Sequence, residues 1–193
     1  NPQPEQLPAN GIPKTTNFDW GPLKVSDSDM GDMKTVDWAS KELARQQEKP
    51  FFLACGIFRP HLPWYVPHKY FDMYPLDKIT LPVVKEDDLD DVPAEGKRLA
   101  LRSGDHKRVT EHNQWKKAVQ AYLACISFTD ACVGKLLDAL DNSPHAKNTI
   151  VVVWGDHGWQ LGEHGMWCKH TNFEVATRTP LLLAAPGVEG GRV

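Results

Sequence analysis

No apolar run in this chain approaches the roughly 18 residues that a membrane-spanning helix requires, and the N-terminal NPQPEQLPANGIP lacks the charged-then-apolar layout of a signal peptide. A leader removed earlier stays compatible with that. Clusters of lysine and arginine dense enough for nucleic acid or an anionic membrane are also missing: 22 basic residues stand against 25 acidic ones, for a net charge of −3. Neither partner is expected. The four cysteines, Cys55, Cys125, Cys132 and Cys168, contain no C-x-x-C pair. They read as buried small hydrophobes, with a disulfide as the other reading. Internal repeats and low-complexity tracts are absent too. What is present is an ordinary globular composition, 41% hydrophobic over 193 residues, enough for one domain with its own core.

The expected organisation is α/β, with a mixed, largely parallel sheet and helices packed on both faces. Residues 1 to 34 are rich in Pro, Gly, Asn and Asp and lack periodicity, so they read as an extended irregular segment on the surface. Thr35 to Gln47 places Val36, Ala39 and Leu43 on one face of an amphipathic helix that Pro50 closes. Phe51 to Phe58, FFLACGIF, reads as a strand buried on both faces. From Arg59 to Pro82, five prolines interleave with Trp64, Tyr65, Tyr70, Phe71 and Tyr74, which suits an ordered aromatic loop. The acidic EDDLDDVP at residues 86 to 93 lacks the Gly and terminal Glu of a calcium-binding helix-loop-helix register and reads as a solvated loop. Spacings of three, four and seven through Trp115, Val119, Tyr122, Ile126, Val133, Leu137 and Leu140 predict one long helix over Glu111 to Asn142. Asn148 to Trp154 and Pro180 to Ala185 complete the pattern as two more buried strands.

Directly behind Val151-Val152-Val153-Trp154 comes Gly155-Asp156-His157-Gly158, a carboxylate and an imidazole side by side at a strand end. Loops beyond the carboxyl ends of strands are where α/β sheets gather ligands. Asp offers a hard oxygen and His a nitrogen, so the pair can supply two ligands to a divalent cation. A capping Asp beside a surface His would write the same dipeptide, and two residues do not decide between these.

The longer stretch GDHGWQLGEHGMWCK, residues 155 to 169, followed by FEVATRTPL, residues 173 to 181, resembles the second half of the sulfatase catalytic domain. Upstream, Pro50-Phe51-Phe52-Leu53 and Arg59-Pro60-His61-Leu62-Pro63 resemble the same family's strand and R/K-P-H-x-P loop. The resemblance covers residues 35 to 193, leans toward the iduronate sulfatase branch with choline sulfatase next, and implies an alkaline-phosphatase-like fold. It makes Asp156 and His157 ligands of a divalent metal, usually calcium, with magnesium or manganese as the other candidates. Lys169 matches the lysine that contacts the substrate sulfate, and His61 the histidine near the sulfate and the leaving-group oxygen. The expected partner is a sulfated small molecule or carbohydrate, and the expected compartment is periplasmic, secreted or lysosomal.

The chemistry of the residues agrees with those roles. Sulfate ester hydrolysis concentrates negative charge on the sulfuryl oxygens and the departing alkoxide, which an ammonium such as Lys169 stabilises. His61 suits proton donation to a poor alkoxide leaving group. Glu163 and His164, in the same loop, are candidates for orienting the metal ligands. Trp64, Tyr65 and Trp167 are candidates either for stacking on a sugar or for packing.

One family feature is missing. Members carry a C/S-x-P-x-R motif whose Cys or Ser becomes formylglycine, together with a pair of Asp ligands near the mature N-terminus, and neither is found here. Cys55-Gly56-Ile57-Phe58-Arg59 imitates the outer spacing, but Ile57 stands where proline is required. The expectation is therefore a piece of a larger enzyme, holding half a site, with the formylglycine and the remaining metal ligands in the rest of the parent chain. By itself the piece should be inactive. Two other functions stay open: a phosphonate monoester or phosphodiester hydrolase of the same superfamily, and a non-catalytic binding module.

Overall fold

A computed structural model of the chain describes residues 1–191, so the last two positions of the 35–193 segment lie outside the described residues. The fold is mixed α/β and is organised around one long helix. In chain order the elements are β1 (Trp20–Leu23), α1 (Gly31–Leu43), β2 (Trp64–Pro67), α2 (His68–Asp72), α3 (Ala94–Ala100), α4 (Asp105–Glu111), α5 (Trp115–Asp141), β3 (Val151–Trp154), β4 (Gln160–Leu161), β5 (Trp167–Cys168), α6 (Glu174–Thr177) and β6 (Leu181–Ala184). Among the described residues the strands form three two-stranded ladders: β1–β2 parallel, β3–β6 antiparallel and β4–β5 antiparallel.

At 27 residues, α5 is about 40 Å long at 1.5 Å per residue. Its buried face is Ala118, Ala121, Ala124, Cys125, Phe128 and Cys132, with Val119 and Leu140 beside it. Of the expected stripe, Val119 and Leu140 are buried and Trp115 and Tyr122 pack against the core, whereas Ile126 and Leu137 are exposed at 40% and 38%. Small side chains win the inner face because α1, α2, β1 and β2 all pack against α5, and close approach of backbones favours Ala and Cys over branched residues. The helix also starts later than expected. The chain turns through His112–Gln114 after α4, so Glu111 belongs to the preceding helix.

The helix α1 begins at Gly31 rather than Thr35 and ends at Leu43, well before Pro50, with Met33, Val36, Ala39 and Leu43 buried. Residues 1–34 do not simply line the surface: Ile12, Trp20 and Leu23 are buried core residues, and β1 pairs with β2 in register Trp20↔Trp64. The carboxylate of Asp19 ties this region together. It accepts hydrogen bonds from the backbone N–H of Ala9, Asn10 and Trp20 and from the Tyr65 hydroxyl. The proline-rich stretch expected as a loop contains β2 and α2, since Pro67 ends a strand and precedes the first helical residue, positions where its missing N–H is harmless.

Phe51–Phe58 makes no ladder among the described residues. Its burial alternates from Phe52 onward. Cys55 and Ile57 pack against the core, whereas Phe51, Phe52 and Phe58 are exposed, Phe52 at 89%. The β3–β6 ribbon likewise differs from the buried pair expected: Val152, Trp154, Leu181, Leu182 and Leu183 are exposed. A strand becomes buried on both faces only when neighbours flank it and layers cover it, and no described element does so here.

Candidate active site

The Asp156–His157 loop is held from behind by α6. Gly155 donates to the Pro180 carbonyl, Gly158 to Ala176 at 2.8 Å and Trp159 to Val175 at 3.0 Å. Gly158 is required here because an added Cβ would fall inside contact distance of the Val175 carbonyl oxygen and 2.8 Å from that of Arg178. Gly158→Ala is therefore expected to cost roughly 2–3 kcal/mol by overpacking, or about 5–10 °C of melting temperature at this chain length. A thermal melt of the two proteins checks it, and an unchanged Tm would mean that α6 does not press on the loop.

The geometry assigns protons on His157. Its Nδ1 lies 2.9 Å from the carbonyl oxygen of Gly158, which can only accept, so Nδ1 carries the hydrogen and Nε2 presents its lone pair outward. The Lys169 ammonium donates to that lone pair at 2.6 Å. The Asp156 carboxylate is 3.4 Å from the same Nε2, and its side chain is 83% exposed. The two donors expected to face one cation thus point to one place.

His61 arrives from a different part of the chain. Its ring centroid is 6.3 Å from that of His157, and its Nδ1 donates to the Leu62 carbonyl at 2.9 Å, leaving Nε2 to face outward. Three residues set this loop in place. The Asp32 carboxylate on α1 accepts from the backbone N–H of Phe58 and Arg59. The Arg59 guanidinium, buried, donates to the carbonyls of Tyr65 and His61. Thr129 on α5 donates to the Arg59 carbonyl at 2.9 Å. This helix-anchored loop, rather than a paired strand, carries His61 to the mouth.

Beneath all three groups lies Trp159, 8% exposed. Its ring centroid is 5.3 Å from that of His61 and 5.7 Å from that of His157, and the Lys169 Nζ stands 5.8 Å above it, within cation–π range. The sequence held only a weak signal for this floor, an aromatic inside the motif loop. For Asp32 and Thr129 it held none, because their partners are 26 and 70 residues distant.

Other candidates are placed differently. Glu163 accepts from the Leu161 N–H, and His164 meets Gln160 and stacks on Phe173 at 3.9 Å, so both brace their own loop and neither touches Asp156 or His157. Trp64, Tyr65 and Trp167 are at most 5% exposed, which makes them packing residues rather than a sugar platform. All four cysteines are free, Cys125 and Cys132 buried and Cys55 and Cys168 half-buried. Burial pushes the thiols of Cys125, Cys132 and Cys168 up to about 12 and raises that of Cys55, so none offers a thiolate nucleophile near neutral pH. Among the described residues no group of three or more His, Cys, Asp or Glu could hold a metal.

Comparison with known proteins extends this picture. The Sulfatase family model matches residues 6–192. A sulfatase of Formosa agariphila is 45% identical over 188 residues, covering 92% of this chain and 35% of that protein. Iduronate 2-sulfatase of Mus musculus is 37% identical over 182 residues, covering 86% and 33%. Among solved structures, the phosphonate monoester hydrolase SpPMH from Silicibacter pomeroyi superposes with a TM-score of 0.76 at 24% identity, over 88% of this chain and 35% of its own, a likeness of fold. The chain spans about a third of the length of the relatives it matches. With the motif loop, the His61 loop and a family match running almost end to end, the chain belongs to the sulfatase family.

Proposed function

We propose that this chain is one part of a longer sulfatase that hydrolyses sulfate esters, with a sulfated carbohydrate as the substrate class. The observation carrying the reading is the convergence of Asp156, His157, Lys169 and His61 on one mouth over Trp159. Each group then has a task. Asp156 and His157 suit a divalent cation, calcium first, with magnesium or manganese as the other candidates, once the Lys169 ammonium that now donates to the His157 Nε2 lone pair turns to the sulfate and frees that lone pair. When bound, the cation supplies charge stabilisation to the sulfuryl oxygens. Two protein donors fall short of the six to eight oxygens calcium takes, so the remaining ligands and the formylglycine nucleophile belong to the rest of the parent. This chain alone is inactive on that reading. Lys169 directs its ammonium at the sulfuryl oxygens as their charge grows. His61, its ring fixed through Nδ1, offers Nε2 for delivering a proton to the departing alkoxide. Relatives named for sugar sulfates support the substrate class, and an extracytoplasmic location is proposed with it.

Paired assays of the full-length protein on the sulfate and phosphonate monoesters of one phenol test the reading. Preferential sulfate hydrolysis is expected. Preference for the phosphonate would replace it with the phosphonate hydrolase alternative, and turnover of neither would support a non-catalytic module.

A further inference from the structure

Lys169 leaves the end of β5, the second strand of a hairpin only two residues wide, in register Gln160↔Cys168 and Leu161↔Trp167. So short a ladder holds little by itself. The residue before the lysine, Cys168, sits at φ 69°, a left-handed conformation that side-chain-bearing residues adopt only when their surroundings hold them there. What holds the hairpin comes from the junction of α4 and α5. The indole N–H of Trp115, the first residue of α5, donates to the Leu161 carbonyl at 2.7 Å, across 46 residues of sequence. Its ring also lies flat against Gly162 (φ 120°), where an added Cβ would be only 2.6–2.9 Å from three ring atoms. His106 of α4 packs edge-on against Trp115 at 4.6 Å between centroids and accepts the indole N–H of Trp167 through Nδ1 at 3.3 Å. One strand of the hairpin is gripped by Trp115 and the other, through His106, by the same pair of helices.

We propose that Trp115, backed by His106, is a positioning residue for Lys169: a clamp from the α4–α5 junction that sets where the ammonium stands relative to His157. The proposal rests on the sulfatase reading for what Lys169 does, and on geometry alone for what Trp115 holds. The Asp156–His157 limb is held separately, by the α6 carbonyls that receive the Gly158 and Trp159 N–H groups. The clamp therefore acts on one side of the site only. Since small misplacements of a positioned charge cost rate steeply, loosening it should reduce turnover while leaving the other limb in place.

The test uses the full-length protein. Trp115→Phe keeps an aromatic ring against Gly162 and removes the N–H. Gly162→Ala pushes the same hairpin from the opposite side and serves as the second variant if the first fails to fold. Each is expected to lower kcat about tenfold with KM changed less than about twofold. In a Lys169→Ala background the Trp115→Phe effect should disappear, because a residue acting through Lys169 has nothing left to act on. Hydrogen exchange should quicken at the amides of residues 160–168 while those of Gly158 and Trp159 keep their protection. An additive loss of kcat in the Lys169→Ala background, or faster exchange spread equally over both limbs, would overturn the clamp. If the wild-type protein turns over no sulfate ester, the functional reading fails, and the exchange experiment still decides whether Trp115 holds the hairpin.

Discussion

Replacing Lys169 with alanine in the full-length protein is expected to reduce turnover of a sulfate ester on the order of 100-fold or more, the scale of one lost electrostatic contact to a developing charge. The fold should survive. Lys169 makes its polar contact with the His157 Nε2 and its cation–π contact with Trp159, both at the mouth, and neither holds elements together. Circular dichroism and the unfolding midpoint should match those of the wild type while kcat collapses. Lys169→Arg restores the charge but not the ammonium's compact geometry, and should recover only part of the rate. Wild-type turnover in Lys169→Ala would remove the lysine from the site and leave its closeness to His157 without a catalytic meaning.

The largest effect on stability is expected far from that mouth, at Asp19. Its carboxylate is fully buried and accepts four hydrogen bonds, from three backbone N–H groups and the Tyr65 hydroxyl. Asp19→Ala leaves these donors facing a void, at a cost of roughly 3–5 kcal/mol from unsatisfied buried groups. Asp19→Asn keeps one acceptor oxygen for part of the set and should cost about half as much. Urea unfolding should show the midpoint falling in the order wild type, Asn, Ala with an unchanged slope. A loss under about 1 kcal/mol for Asp19→Ala would show that the N-terminal segment is not tied down through this group. Burial, reinforced by the bond to Asp19, pushes the Tyr65 phenol well above its ordinary range, so this hydroxyl stays protonated and donating at any working pH. The effect also reaches the site, because the Asp19 carbonyl accepts the Trp64 N–H at 2.9 Å and β2 begins three residues after His61.

The chemistry of the site was legible because it is written in side chains of fixed type at short spacing. Asp156 and His157 are adjacent, Lys169 follows 12 residues after His157 in the same motif stretch, and His61 sits in a motif of its own, so residue type and order alone name each of them. Helix α1 was legible for a similar reason, since Val36, Ala39 and Leu43 repeat at helical spacing and are buried. The inner face of α5 was legible only in part, at Val119 and Leu140, because hydrophobic size is a poor guide where backbones approach closely: Ala118, Ala121 and Ala124 are inside and Ile126 is 40% exposed. Phe51 to Phe58, Asn148 to Trp154 and Pro180 to Ala185 read as buried strands because apolar runs report what a segment would prefer to bury, not whether a neighbour is present to cover it.

The sequence by itself thus determined the family, the mixed α/β class and the identities of the four groups proposed to act, since these depend on residue type and local order. Tertiary structure alone decided how those groups are held. Asp32 and Thr129 fix the His61 loop, Trp115 grips the Lys169 hairpin, the α6 carbonyls exclude any side chain at Gly158, and Trp159 underlies three of the four. Most of these contacts join residues tens of positions apart, where nothing in the local pattern constrains one partner to meet the other, and only the packing of α1, α5 and α6 brings them within hydrogen-bond reach.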